Sequence, residues 1–307
     1  QFAFAQTTYV PDDNFEQALI DLGYDDTLDD YVLTANISGV TSLNVSQKEI
    51  SDLTGIEDFT ALTNLQCQDN QLTSLDVSNN TALTLLKCDN GNQITSLDVS
   101  ANTALTSLDC SGNQLTSLDL SSNTALTYLS CAENQLTNLD VSANTALTTL
   151  YCHNNSLTSL DVSNNTLLTQ LECNHNQLTS LDVSSNTALS HLVCQANQLT
   201  TLDVSSNTAL TYINCGEQLI TSLDVSANTA LGDLHCAQSQ LTTIDISNNT
   251  NLADVNLNNN QLTSLDVGSN TALAYLRCKN NQLTSLDVSN NTALTVLQFN
   301  SNLLTSV

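Results

Sequence analysis

The 307-residue chain predicts a β-rich solenoid of stacked coils, closed at its N-terminal end by a small helical cap. Three observations predict it. From about residue 40 onward the sequence repeats itself every 21 residues, a period too short for a domain and typical of stacked repeats. Each unit holds two short segments, such as "LQC" at 65–67 and "LDV" at 75–77, whose apolar side chains alternate as in a strand buried on one face. Asn recurs at fixed corners between them, where its side chain can bond backbone groups inside a turn.

The opening "QFAFAQ" reads as the end of a secretory signal peptide, residues 1–5, because Ala3 and Ala5 form a small-residue cleavage site before Gln6. That reading places the chain outside the cell. Residues 6–39 form the cap. In "PDDNFEQALIDLGYDD" Asp13 and Glu16 are expected to make a capping box, Gly23 to stop the helix, and Phe15, Leu19 and Leu22 to close the core.

Residues 40–307 make the solenoid of about thirteen coils, the first beginning at Val40 and the last at Leu294. In the type unit, "LTNLQCQDNQLTSLDVSNNTA" at 62–82, Asn70 is position 9 and Asn80 position 19. The later corner is always Asn, from Asn80 to Asn291, whereas the earlier one becomes Gln218 and Ser239 in two coils. One coil carries an extra residue around Gly91. Two short strands per coil predict two parallel sheets, and half-turns of ten or eleven residues leave little room for a convex helix. No second cap follows the last coil, so its open end is expected to meet further sequence, a partner or a second copy end to end.

These motifs, written L-x-x-L-x-C-x-x-N-x-L-x-x-L-D-V-x-x-N-x-x, resemble the leucine-rich repeat in its 21-residue nested (IRREKO) class, and with it the internalin-like bacterial surface proteins. The resemblance covers residues 40–307. It implies a ligand bound on the concave face, adhesion to protein or polysaccharide, and a surface-sorting domain downstream.

Thirty-one acidic residues against four basic ones, a net charge of -27, repel phosphate backbones and argue against nucleic acid. No run approaches the roughly 18 apolar residues of a transmembrane helix. All ten cysteines occupy position 6, where Leu257 and Phe299 stand in two coils, so the column asks for a hydrophobe. Strands about 4.8 Å apart hold parallel thiols in a poor approach for disulfides.

Comparing coils with one another separates a constant half, "LTSLDVSxNTA", from variable positions 2, 3, 5, 7 and 8 around "LxC". Every histidine lies in the variable set: His153, His175, His191 and His235. So do Tyr128, Tyr151, Tyr212 and Tyr275, with Glu172 and Asp233 beside them and a separate basic spot at Tyr275, Arg277 and Lys279. Such residues are enriched where proteins recognise ligands, so these positions are the candidate site for a protein or glycan. His153 and Glu172 are expected roughly 7 Å apart on a diagonal. No nucleophile is fixed beside a base, and no reaction or cofactor is expected.

The constant face offers an alternative. Its stacked aspartates, including Asp140, Asp161, Asp182 and Asp203, suggest weak cation binding, with calcium the candidate ion, and its Thr/Ser rows suggest ice binding. At about 4.8 Å spacing the carboxylates repel by roughly 0.9 kcal/mol per pair even in water. The "DDTLDD" stretch at 25–30 has acidic residues but not the EF-hand spacing for calcium.

Overall fold

The Leu and Cys of each "LxC" point into one core, which fixes a three-residue strand in every coil. In the computed structural model, which describes residues 5–305, five such strands lie in the unit Gln1–Leu147 and eight in the unit Thr148–Val307. In the first unit the strands from Ser42–Asn44 to Tyr128–Ser130 pair in parallel, with Leu43, Leu65, Leu86, Leu108 and Leu129 in register. In the second, the strands from Thr149–Tyr151 to Val296–Gln298 do the same, from Leu150 through Leu171 and Leu192 to Leu297. A 21-residue repeat keeps each residue beside its own counterpart, so columns of the sequence become rows of the sheet.

Polar corners hold the coils together. At position 9 the Asn side chain bridges two coils: Asn176 Oδ1 accepts the Leu157 amide at 2.9 Å, and its Nδ2 donates to the carbonyls of Cys152 and Cys173, each at 3.1 Å. Gln218 replaces it by reaching the Leu199 amide at 2.9 Å. Ser239 is too short, and its hydroxyl is buried without a partner. At position 19 the Asn207 Nδ2 donates to Val183 and Asn186 carbonyls of the preceding coil, both at 2.9 Å, and Asn228, Asn249, Asn270 and Asn291 repeat the pattern. The Oδ1 of Asn207 finds no donor, so the position is selected for its amino group.

Position 2, grouped above with the variable set, is a third ladder. Thr84 Oγ1 donates to the Thr63 carbonyl at 3.0 Å, Thr106 to Thr84 and Thr127 to Thr106 at the same distance. Position 8 is a left-handed corner, with φ between 44° and 58° at every non-glycine example from Asp69 to Ser301. The extra residue is absorbed there, since Gly91 has φ 71° and a Cβ would lie 3.1 Å from the Asp69 Cα.

The second predicted sheet does not form a regular ladder. Asp76 and Asp98 make a parallel bridge, but elsewhere the "LDV" segments are extended without regular pairing. Each Asp carboxylate takes the amide of the residue two further on, as Asp203 takes Ser205 at 2.9 Å, and Asp76 and Asp98 do the same at the bridge. Successive turns then follow, with the Asn207 amide bound to the Val204 carbonyl and the Leu210 amide to Asn207. No convex helix occurs among the described residues; every helix precedes residue 60.

The cap contains a helix, Asp13–Asp21, and an antiparallel pair, Thr7–Tyr9 with Tyr31–Leu33. The helix is capped by Asp12, one residue before the expected Asp13, and its Oδ1 accepts the amides of Asn14 and Phe15, each at 3.0 Å. Glu16 does not close a capping box. It is buried and accepts the Asp29 and Tyr31 amides instead. Gly23 ends the helix as expected, at φ 80°, with the Gly23 amide on Ile20 and the Tyr24 amide on Leu19, a Schellman motif. Phe15 and Leu19 are buried, and Phe15 stacks on Phe59 at 6.4 Å, but Leu22 is 46% exposed and closes nothing. Of the signal-peptide reading, residues 1–4 lie outside the described residues.

Ser239→Asn should restore the missing bridge and stabilise the chain by about 1–2 kcal/mol, read as a rise in melting temperature. Asn207→Asp should destabilise more than Asn207→Ala, because a carboxylate fits the space but cannot donate and brings an unpaired charge into the core. Equal melting temperatures for the two variants would contradict the donor role.

Candidate functional site

In the second unit the first and third residues of each strand point outward, and register alone brings side chains from successive coils into contact. His191 pairs with Gln170 on one side and Tyr212 on the other. Its ring stacks on Tyr212 with centroids 4.4 Å apart and planes 13° from parallel. Its Nε2 lies 3.6 Å from Glu172 Oε1, while His153 Nε2 approaches Oε2 of the same carboxylate at 3.9 Å. Beyond Tyr212 comes His235, edge-on at 5.5 Å, with Tyr212 Oη 3.4 Å from its Nδ1. His235 Nε2 lies 3.5 Å from Asp254 Oδ1, which also accepts Arg277 at 2.7 Å. Arg277 in turn lies over the Tyr275 ring, 5.6 Å from its centroid.

These contacts form one continuous strip from His153 to Tyr275, with two carboxylates each set between two basic groups. The roughly 7 Å expected between His153 and Glu172 is closed by the length of the side chains. Tyr151 joins the strip by donating its hydroxyl to Gln170. Burial, followed by the nearby Glu172 charge, pushes the Tyr151 phenol up; burial and then Asp233 do the same to Tyr212. Both hydroxyls therefore remain protonated at neutral pH.

Sequence reading missed Asp254, the residue that joins the separate "basic spot" to the rest. Its column was visible, but its partners are decided by side-chain reach across coils. His175 does not belong to the strip. It occupies the left-handed corner at φ 52°, is exposed, and has its Nε2 3.5 Å from Gln195 Nε2. Lys279 is half-buried beyond the strand, where its backbone amide binds Asn258 Oδ1 at 2.9 Å. Tyr128 begins the strand Tyr128–Ser130 of the first unit.

On the other side of the coils, the aspartates are organised one by one. Asp140, Asp161, Asp182 and Asp203 each accept a Ser amide of their own coil at 2.9 Å. No group of three or more His, Cys, Asp or Glu side chains able to hold a metal ion occurs among the described residues. In the 25–30 stretch, burial followed by the Glu16, Asp26 and Asp29 charges pushes the Asp25 carboxyl up.

The cysteine column is buried throughout and holds thiols. Burial raises Cys67 and Cys173 to about 12. Cys67 Sγ donates to the Lys87 carbonyl at 3.4 Å, and Cys215 and Cys236 bring their sulfurs to 3.0 Å, nearer than the strand spacing alone would suggest.

One strand per coil, ladders at the corners and a single variable face define a leucine-rich repeat solenoid. The family described as "Leucine Rich repeats (2 copies)" matches residues 103–144, and the LVIVD repeat matches residues 67–90 and 273–300. The functional domain of InlJ from Listeria monocytogenes, a solved structure that includes a cysteine ladder, is 38% identical; the match covers 97% of this chain and 76% of that one, with a TM-score of 0.77. The chain belongs to the internalin-like leucine-rich repeat family. Curated Internalin J from L. monocytogenes serotype 4b is 40% identical over 73 residues, which are 24% of this chain and only 8% of that protein. An internalin F structure from the same species shares the fold at 24% identity and a TM-score of 0.79, covering 94% of this chain and 95% of that one.

Hydrogen bonds from Ser hydroxyls and amides hold Asp140, Asp182, Asp203 and Asp224 below the usual carboxylate range. A depressed folded-state pKa contributes stability that is present above the unfolded value of about 3.9 and lost as pH falls through the folded value. The melting temperature should therefore fall as pH drops below about 4. Asp203→Asn, which keeps the acceptor, should melt above Asp203→Ala. A midpoint that holds steady down to pH 3 would contradict the capping account.

Proposed function

We propose that the chain is an extracellular recognition and adhesion module that binds a protein ligand through the variable face of its second unit. The observation that carries the reading is the strip from His153 to Tyr275. It gathers aromatic and charged side chains, residue types that anchor interfaces, onto adjacent rigid strands. Because each of these side chains is braced by its neighbours, little rotamer freedom remains to be lost on binding.

Membership in the internalin-like family supports a surface-exposed, protein-binding role, and no helix among the described residues is long and apolar enough to cross a membrane. A glycan is the second candidate ligand, since Tyr275 is 41% exposed and could stack on a sugar ring. The ice- and cation-binding alternatives draw no support from the constant face, where one carboxylate oxygen of each aspartate is engaged by its own coil. No reaction is proposed. Tyr151 and Tyr212 hold their protons more tightly than usual, so neither is an activated nucleophile.

The test is a screen of the purified chain against arrays of extracellular protein domains and glycans, followed by the triple variant Tyr151→Ser, His191→Ser, Tyr212→Ser. The variant should keep its melting temperature within a few degrees and lose at least tenfold in affinity for any ligand found. Retained affinity would place the site elsewhere.

A further inference from the structure

The cations of this acidic chain are unevenly placed. Of eight Lys, Arg and His residues, five are in or beside one strip of the second unit: His153, His191, His235, Arg277 and Lys279. Three of them are imidazoles whose Nε2 atoms stand 3.5–3.9 Å from Glu172 or Asp254, too far for a good hydrogen bond but close enough to be drawn into one. The arrangement is therefore incompletely engaged when the imidazoles are neutral.

From this geometry we infer that the strip engages an acidic polypeptide segment, and does so preferentially under mildly acidic conditions. The inference rests on the recognition role proposed above and specifies the partner's chemistry. Histidine is the side-chain type whose charge ordinarily changes between pH 5 and 8. With neutral imidazoles the strip carries Arg277 against Glu172, Asp233 and Asp254, a net charge of minus two. Three added protons would change that to plus one.

Each of the three imidazoles faces a carboxylate. His191 faces Glu172 on one strand and the Tyr212 ring on the other, so its cation gains a carboxylate and a π face. His153 faces the same Glu172, while the Asn154 amide, whose Nδ2 lies 3.1 Å from Nδ1, donates to the neutral ring and opposes a proton there. His235 faces Asp254 and the Tyr212 hydroxyl, and Arg277, bound to the same Asp254, is the one cation opposing it. Glu172 and Asp254 would then be satisfied internally, leaving the Arg277 N–H groups not bound to Asp254 to meet the partner's carboxylates.

The experiment uses the full chain and a fluorescein-labelled poly-L-aspartate peptide of about twenty residues, which stays ionised at both pH values tested. Anisotropy titrations at pH 5.5 and 7.5, at one fixed salt concentration, should give about tenfold tighter binding at the lower pH. His191→Gln with His235→Gln should flatten that dependence without lowering the melting temperature at pH 7.5. Equal affinity at the two pH values, no binding at either, or a pH dependence that survives in the double variant would overturn the inference. If a ligand from the screen is lost in the Tyr151/His191/Tyr212 variant but binds equally at both pH values, the recognition role stands and only this inference fails.

Discussion

A coil of 21 residues cannot satisfy its own corners, and the rest of the structure depends on how the next coil does it for them. The Asn at position 19 buries an amide whose two protons are spent on two carbonyls of the preceding coil. The Asn at position 9 accepts from one coil and donates to two. Unmet, each of these buried groups would cost about 1–3 kcal/mol. Met from a neighbour, they tie stability to stacking and forbid any slip in register. Hydrophobic columns of Leu, Val and Cys fill the core, but the polar ladders set the geometry, since a hydrophobe tolerates displacements that a paired amide does not.

That fixed register is also what makes a site possible on a shallow surface. Strands locked side by side place His191 over Tyr212 and Asp254 within reach of both His235 and Arg277. A residue changed in one coil acquires neighbours from the coils before and after it, so the outward columns act as a lattice on which side chains combine. The constant face follows a different rule. Its aspartates bind the amide two residues on within their own coil, which accounts for their uniformity.

The repeat, the core columns, the strand positions and the variable face were legible in the sequence because each follows from period and alternation. The lost sheet was not, since "LDV" alternates just as "LxC" does and alternation alone does not say which segments pair. The Thr ladder at position 2 and the left-handed corner at position 8 were also hidden. Position 8 accepts Asp, Asn, Glu, His, Ala, Gln and Ser as well as Gly, so composition gives no sign of its φ, and His175 looked like a face residue for that reason. At the site, columns 3 and 5 predicted which residues point outward. They could not say that two carboxylates would each sit between two basic groups, because that depends on how far side chains reach across a strand pair.

The central claim is that the coils divide into a face that recognises and a face that only folds. A scan of every exposed position in the second unit, with ligand binding and folded yield measured separately for each variant, tests it most directly. The account predicts that losses of binding without loss of fold gather at Tyr151, Glu172, His191, Tyr212, His235, Asp254 and Arg277, while substitutions in the aspartate column act only through stability. Binding losses concentrated on the aspartate column, or spread evenly over both faces, would contradict it.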